Sequence, residues 1–220
     1  MPYVSILVYS AVTILLLKYD FTALVLLEVA FSLGTYALVA LSLLRIRKKI
    51  PLEQRDKALF KVPGGKLGLK YCGYTPAAAA AFVMLINGTD YFLGGIMLLP
   101  LAVVFYIFFK KCYGGFYKEN PVLYPINPAT GLAAGDIVRI GVFGLFVGVY
   151  SMISVPFLRW YEGGWGPEYY AQTYGTGFLS DFDCMLNILL IYGIVMTLVG
   201  AAVFAVGRKK DHCLAKELVS

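Results

Sequence analysis

Six long apolar stretches constrain this chain more than any other feature of its sequence. Each has the length of a membrane-spanning helix, which needs about 17 to 25 mostly apolar residues. Five of the stretches contain no charged residue, and the second contains a single one, Glu28. They cover residues 1–17, 21–44, 71–89, 91–109, 140–158 and 184–207. The pattern predicts an all-α, polytopic membrane helical bundle with about six transmembrane helices.

The composition excludes a water-soluble enzyme and a disordered chain. Charged residues make up 15% of the 220 residues and apolar residues 60%. Soluble domains carry about 25% charged residues. A chain with 15 Phe and 17 Tyr also has too much apolar surface to stay unfolded in water. We therefore expect residues 1–220 to form a single membrane domain.

The positions of the basic residues predict the orientation of this domain. If the chain starts in the cytoplasm, the loops 45–70 and 110–139 and the tail 208–220 are cytoplasmic, and the loop 157–183 lies outside. Of the 19 Lys and Arg, 17 then lie on the cytoplasmic side, and only Lys18 and Arg159 lie outside. Cytoplasmic loops are enriched in basic residues. We expect both termini in the cytoplasm, and we attribute the net charge of +6 to orientation and not to nucleic-acid binding.

Glu28 is the candidate substrate-binding residue. It lies seven residues past Phe21, which is about 10 Å along a helix at about 1.5 Å per residue. A carboxylate at that depth is costly in lipid, so it must face protein or water. Ser32 and Thr35 follow on the same helix face. Two interpretations stay open: the carboxylate lines a cavity or takes part in proton transfer, or it is protonated or hydrogen-bonded to a neighbouring helix.

Catalytic, cofactor-binding and metal-ligating residues are not predicted. His212 is the only histidine and lies in the tail, so no nucleophile–base arrangement is visible. The four cysteines are scattered and lack the spacing of a metal site. Gly64-Gly65-Lys66 is followed by Leu67, without the spacing of a phosphate-binding loop. We expect no enzyme activity and no cofactor.

Small residues recur on the last two stretches. Gly144 and Gly148 form a Gly-x-x-x-Gly motif, and Gly200 with Ala201 and Ala205 offers a similar small surface. Such residues let membrane helices approach closely. The motif fits either packing within one bundle or a contact between subunits.

Aromatic residues are concentrated in the predicted outer loop 157–183. This loop contains both tryptophans, Trp160 and Trp165, together with several tyrosines. Aromatic side chains of this kind commonly lie at the membrane–water interface. The alternative is a lid over a substrate vestibule, because lids are often loops.

Three features of the first 70 residues carry a family resemblance. Pro2-Tyr3-Val4-Ser5 opens the first of two apolar stretches that a short turn separates. Leu43-Leu44-Arg45-Ile46-Arg47 lies at the end of the second stretch, and the basic loop contains the phrase FKVPGGKLG at 60–68. Together they resemble amino-acid permeases of the amino acid–polyamine–organocation (APC) superfamily. In that family a similar cytoplasmic phrase lies between the tenth and eleventh spans. The resemblance implies the inverted-repeat transporter fold from span nine onward, with two additional spans at the end, as in longer members.

The resemblance also implies what this part of a permease does. Family members bind substrate at unwound parts of their first and sixth spans, with help from the third and eighth, and none of these has a counterpart here. No substrate-binding residue is therefore carried over, and Glu28 matches no family site. We expect a C-terminal fragment or split half that supplies scaffold helices to secondary amino-acid transport, by antiport or symport, in the plasma membrane. Amino acids would be its substrate only together with an N-terminal permease half or in a homo-oligomer.

A second hypothesis comes from a different class of protein. The chain would be a non-transporting membrane subunit or an assembly protein that packs against a larger membrane complex. The glycine face of the last two stretches and the aromatic outer loop would then provide the contacts. The lipid bilayer is a partner under both hypotheses.

Overall fold

The computed structural model describes residues 3–16, 32, 35–37, 39–42, 44, 63–113, 126–127, 131–133 and 135–217. Contacts divide the chain into two compact units, Met1–Phe92 and Leu93–Ser220. Nearly all described residues are helical, so most of their backbone hydrogen bonds are made within the same helix. The described elements are α1 (Tyr3–Leu16), α2 (Gly65–Ile86), α3 (Thr89–Tyr113), β1 (Ile126–Asn127), β2 (Leu132–Ala133), α4 (Asp136–Glu162), α5 (Gly166–Tyr174) and α6 (Phe182–Glu217).

Four of the described helices are long and apolar enough to cross a membrane. They contain the candidate spans Leu67–Ile86, Thr89–Cys112, Asp136–Glu162 and Phe182–Asp211. These spans coincide with the third to sixth predicted stretches, and they confirm an all-α integral membrane protein. α1 covers most of the first predicted stretch, and most of the second, including Glu28, lies outside the described residues. Six spans therefore stay a prediction.

α3, α4 and α6 extend beyond the predicted apolar stretches at both ends, whereas α2 extends beyond its stretch only at the start. α2 begins at Gly65, six residues before the predicted start at 71, directly after Gly64 with φ of 82°. Pro76 lies inside the helix. The helix ends at Ile86, directly before Asn87-Gly88, and Gly88 has φ of 114°. A helix can continue past its apolar segment, because the length of the apolar segment determines only how much of the helix lies in the membrane.

The predicted outer loop and tail are partly helical for the same reason. α4 continues to Glu162, and the short helix α5 occupies Gly166–Tyr174 within the loop 157–183. α6 continues to Glu217 through most of the tail 208–220. The tail contains three Lys, two Leu and one each of Arg, Ala and Glu, which favour helix.

A small antiparallel hairpin precedes α4. β1 pairs with β2 in the register Ile126↔Ala133 and Asn127↔Leu132. Gly131 directly before β2 and Gly135 directly before α4 have φ of 65° and 83°, a conformation that glycine adopts without strain. The hairpin thereby leads the chain straight into α4.

Glycines bring α4 and α6 into backbone contact. The two helices run antiparallel, so Gly141 lies against Phe204, Gly144 against Gly200, and Gly148 against Thr197 and Gly193. A Cβ atom on Gly200 would lie 2.7 Å from the backbone carbon of Gly144, closer than any real contact. The glycine motif of α4 is therefore used for packing within the bundle, one of its two predicted uses.

The partner surface on α6 differs from the predicted one. Gly193 and Gly207 contribute to it together with Gly200, and a Cβ on Gly207 would lie 2.7 Å from the backbone nitrogen of Val138. Ala201 and Ala205, which we expected on this surface, are exposed. The three glycines are spaced seven residues apart, so they follow one face of the helix along its length.

A proline in α3 creates an acceptor that α6 uses. Pro100 has no N–H, so the carbonyl of Ile96 lacks its usual helical donor. The hydroxyl of Tyr192 in α6 donates to this carbonyl oxygen at 2.9 Å. An unsatisfied carbonyl is expensive inside a membrane, so this hydrogen bond compensates for the proline.

We expect Gly200→Leu to destabilise the chain and Ala201→Leu to leave it nearly unchanged. A side chain at Gly200 meets the backbone of α4, and overpacking of this kind costs about 1–3 kcal/mol or more. Ala201 is one position away and exposed, so it is a matched control. Thermal unfolding of the purified chain in detergent measures both. Equal shifts in Tm for the two variants would contradict the α4–α6 contact.

We expect the effects of Tyr192→Phe and Pro100→Ala to be coupled. Loss of the Tyr192 hydroxyl leaves the carbonyl of Ile96 unsatisfied and costs about 0.6 kcal/mol, at most about 1.7 kcal/mol. Pro100→Ala restores the helical N–H, so Tyr192→Phe costs less in that background. A double-mutant cycle of unfolding free energies in detergent tests this. Additive effects would show that the hydroxyl does not serve the acceptor that Pro100 exposes.

Candidate functional site

Two fully buried carboxylates mark the two ends of α4. Asp136 is the first residue of the helix and Glu162 the last, and both side chains are 0% exposed. They are separated by 26 residues, or about 39 Å along the helix. Buried carboxylates in membrane proteins need partners and often mark functional positions.

Asp136 accepts hydrogen bonds from four groups, which we call the Asp136 cluster. Its Oδ1 accepts from the hydroxyl of Tyr106 at 3.2 Å and from Nη1 of Arg139 at 2.8 Å. Its Oδ2 accepts from Nζ of Lys110 and from the backbone N–H of Ala133 at 3.1 Å. The Nζ of Lys110 also donates to the hydroxyl of Tyr106 at 3.0 Å. These donors occupy the lone pairs of the carboxylate.

Positively charged groups surround the carboxylate of Asp136. Two cationic side chains contact it, Lys110 with 12% and Arg139 with 48% of the side chain exposed. The carboxylate also lies in the first turn of α4, where the helix dipole favours negative charge.

The cluster connects several elements at one end of the Leu93–Ser220 unit. Tyr106 and Lys110 lie on α3, Ala133 on β2, and Asp136 and Arg139 on α4. α6 joins the same region because Oδ1 of Asp211 accepts from the backbone N–H of Gly135 at 3.1 Å. A carboxylate whose lone pairs are filled by donors is suited to holding helices together and not to binding a metal ion. In the described part of the chain no three metal-ligating side chains come together.

Glu162 lies at the opposite end of α4, next to α5. Its Oε2 accepts from the hydroxyl of Tyr170 at 2.7 Å. The ring of Tyr170 stacks on Phe182 of α6, with a centroid distance of 5.9 Å and an angle of 5° between the planes. Gly166 makes this arrangement possible, because a Cβ there would lie 3.2 Å from the Cβ of Glu162. The contacts fix α5 against the ends of α4 and α6.

The structure leaves the predicted site residue untested and adds two that we did not predict. Glu28 lies outside the described residues. Ser32 is half-buried and Thr35 exposed, both in helical conformation. Sequence reasoning missed Asp136, although an acidic residue directly after Gly135 is a recognisable helix start. It treated Glu162 as a loop residue, because the apolar stretch ends at 158.

We expect Asp136→Asn to destabilise the chain strongly, and Asp183→Asn only slightly. Asp136 is fully buried, but Lys110 and Arg139 keep 12% and 48% of their side chains exposed. The loss should therefore lie between about 1 kcal/mol, typical of a surface pair, and about 3–5 kcal/mol, typical of a fully buried pair. Asp183 pairs with Arg159 at 2.7 Å, with both side chains more than half exposed, and such surface pairs contribute about 0–1 kcal/mol. Unfolding of the two variants in detergent compares them. Similar losses of stability would mean that the Asp136 cluster is not a buried ion-pair network.

Comparison with known proteins identifies no relative. No protein-family model, no curated protein and no solved structure matches this chain.

Proposed function

We propose that this chain is the C-terminal portion of an amino-acid permease of the APC superfamily and that it supplies scaffold helices to secondary amino-acid transport. One observation carries the proposal. The phrase FKVPGGKLG at 60–68 runs directly into α2, and α3 follows after the short connection Asn87-Gly88. Two membrane-length helices in this position are what the resemblance implies for family spans eleven and twelve.

The shape of the described spans supports a scaffold role. α2, α3, α4 and α6 are continuous helices, including at Pro76, Pro100 and Pro156. Substrate sites of secondary transporters are commonly built where membrane helices are interrupted near the middle of the bilayer. On this proposal the site belongs to spans outside this chain, and transport requires an N-terminal permease half.

The last two spans are accessory helices in this proposal. α4 and α6 pack on each other through glycine, and they contact α3 at two levels. Tyr192 donates to the carbonyl of Ile96, and Lys110 donates to Asp136. Ile96 and Lys110 are 14 residues apart, or about 21 Å along α3. The accessory pair would thereby hold the twelfth family span at two points about 21 Å apart.

The non-transporting membrane subunit is the second candidate. The observation that favours it is the division of the chain, because Leu93–Ser220 forms a compact unit of its own. Such a unit suits a protein that docks on a larger membrane complex.

We expect the isolated chain to take up no amino acid. Proteoliposomes containing the 220 residues would be compared with protein-free vesicles for uptake of a mixture of labelled amino acids, with and without a proton or sodium gradient. Because the substrate-binding spans are missing, uptake should equal that of empty vesicles. Uptake above this background would contradict the proposal that the site lies elsewhere.

Affinity purification distinguishes the two candidates. An antibody against residues 211–220 would be applied to membranes of the source organism. The permease proposal predicts either a product much larger than the calculated 24.2 kDa or a co-purifying chain that carries the missing spans. Recovery of an unrelated membrane complex with a 24.2 kDa product would instead support the subunit.

The proposal includes a topology: six spans cross the plasma membrane, and both termini lie in the cytoplasm. Cysteine labelling tests this topology. Cys112 is exposed near the end of α3, and Gly164 is exposed in the turn between α4 and α5. Two variants would each keep a single cysteine, at Gly164→Cys or at Cys112, with all other cysteines replaced by serine. We expect an impermeant thiol reagent to label the first variant on intact cells and the second only after permeabilisation. The opposite pattern would invert the topology.

A further inference from the structure

The last turn of α4 and the segment that connects it to α6 carry an exposed aromatic surface. Four rings form it: Trp160, Tyr161, Trp165 and Tyr169. Trp160 is 78% exposed, although it is one of the largest apolar side chains in the protein. Trp165 contacts Tyr161 at a centroid distance of 6.5 Å and Tyr169 at 5.7 Å. We call these four residues the aromatic surface.

The aromatic surface rests on a fixed base. Tyr170 lies under it, 0% exposed, with its hydroxyl bonded to Glu162 and its ring stacked on Phe182. Trp165 contacts Tyr170 directly, at a centroid distance of 6.5 Å. A lid that opens and closes would break these buried contacts. The geometry therefore favours a permanent platform over the alternative of a mobile lid.

The position of the surface along α4 relates it to the membrane. Arg139 and Trp160 are 21 residues apart, or about 31 Å along the helix. The hydrocarbon core of a bilayer is about 30 Å thick. Because Arg139 is half exposed at the end that also carries Lys110 and Asp136, that end lies at one polar boundary. Trp160 then lies at the other boundary.

We propose that the aromatic surface binds the headgroup–glycerol layer of the bilayer that α4 and α6 cross, and that α5 lies along this layer as an interfacial helix. Tryptophan and tyrosine suit this layer because each combines an apolar ring with one polar group. The rings would contact the upper acyl chains, while indole N–H and phenol groups bond to ester and phosphate oxygens. Glu168 and Gln172 of α5 are exposed and would face the water. The platform would set the depth of the α4–α6 pair in the membrane.

Tryptophan fluorescence tests this proposal without labels. The chain contains two tryptophans, and both belong to the aromatic surface. The full chain would be reconstituted in phosphatidylcholine vesicles that contain lipids spin-labelled either near the glycerol or near the terminal methyl group. Trp160→Phe and Trp165→Phe isolate the two signals. In both variants we expect quenching by the shallow label to exceed quenching by the deep label about twofold, because interfacial rings lie at headgroup level.

A matched variant provides the reference for depth. Phe146 is 59% exposed near the middle of α4. With both native tryptophans replaced by phenylalanine, Phe146→Trp should be quenched more by the deep label than by the shallow one. Circular dichroism would verify that each variant keeps its helix content.

Three results would overturn the proposal. Strong quenching by aqueous iodide with no quenching by either lipid label would place the rings in water. Stronger quenching by the deep label than by the shallow label would place them in the hydrocarbon core. Protection from all quenchers would show that another copy of the chain covers the surface.

Discussion

Backbone contact between α4 and α6 is the interaction on which the Leu93–Ser220 unit depends. In lipid, burying apolar side chains gives little driving force for helix association, so helices are held by close van der Waals packing and by polar contacts. Gly144 and Gly200 allow the closest approach. Both buried carboxylates lie at the ends of α4, and α6 contacts a neighbour of each: Asp211 binds Gly135 beside Asp136, and Phe182 stacks on Tyr170, which binds Glu162. If α4 and α6 separated, Tyr170 would lose Phe182 and Gly135 would lose Asp211.

The membrane class and four of the predicted spans followed from the sequence because they depend on composition over about 20 residues. Such a signal needs no knowledge of partners. The use of Gly144 and Gly148 was one of two predicted outcomes, since spacing reveals a close-packing face but not what packs against it. Ala201 and Ala205 were assigned to the wrong face. Gly193, Gly200 and Gly207 are spaced seven residues apart, and this spacing would have identified the correct face of α6.

The candidate site was less accessible from the sequence, for a physical reason. Asp136 is buried because Lys110, which is 26 residues earlier, and the hairpin before α4 reach it. Glu162 is buried because α5 folds back and brings Tyr170 to it. Neither contact has a local signature, since both depend on how the segments between the spans fold. Helix ends were misplaced because hydropathy measures what lipid tolerates, whereas a helix ends where its hydrogen bonding ends.

The pairing of Pro100 with Tyr192 has a consequence for alignment. A smooth apolar helix can slide or rotate along its neighbour with little change in energy, because lipid and side chains offer similar contacts. A single exposed carbonyl breaks this degeneracy, since only one height and one rotation of α3 bring it to the hydroxyl of α6. Pro100 therefore favours one axial alignment of α3 relative to α6. The missing hydrogen bond within α3 thus determines the position at which α6 packs against it.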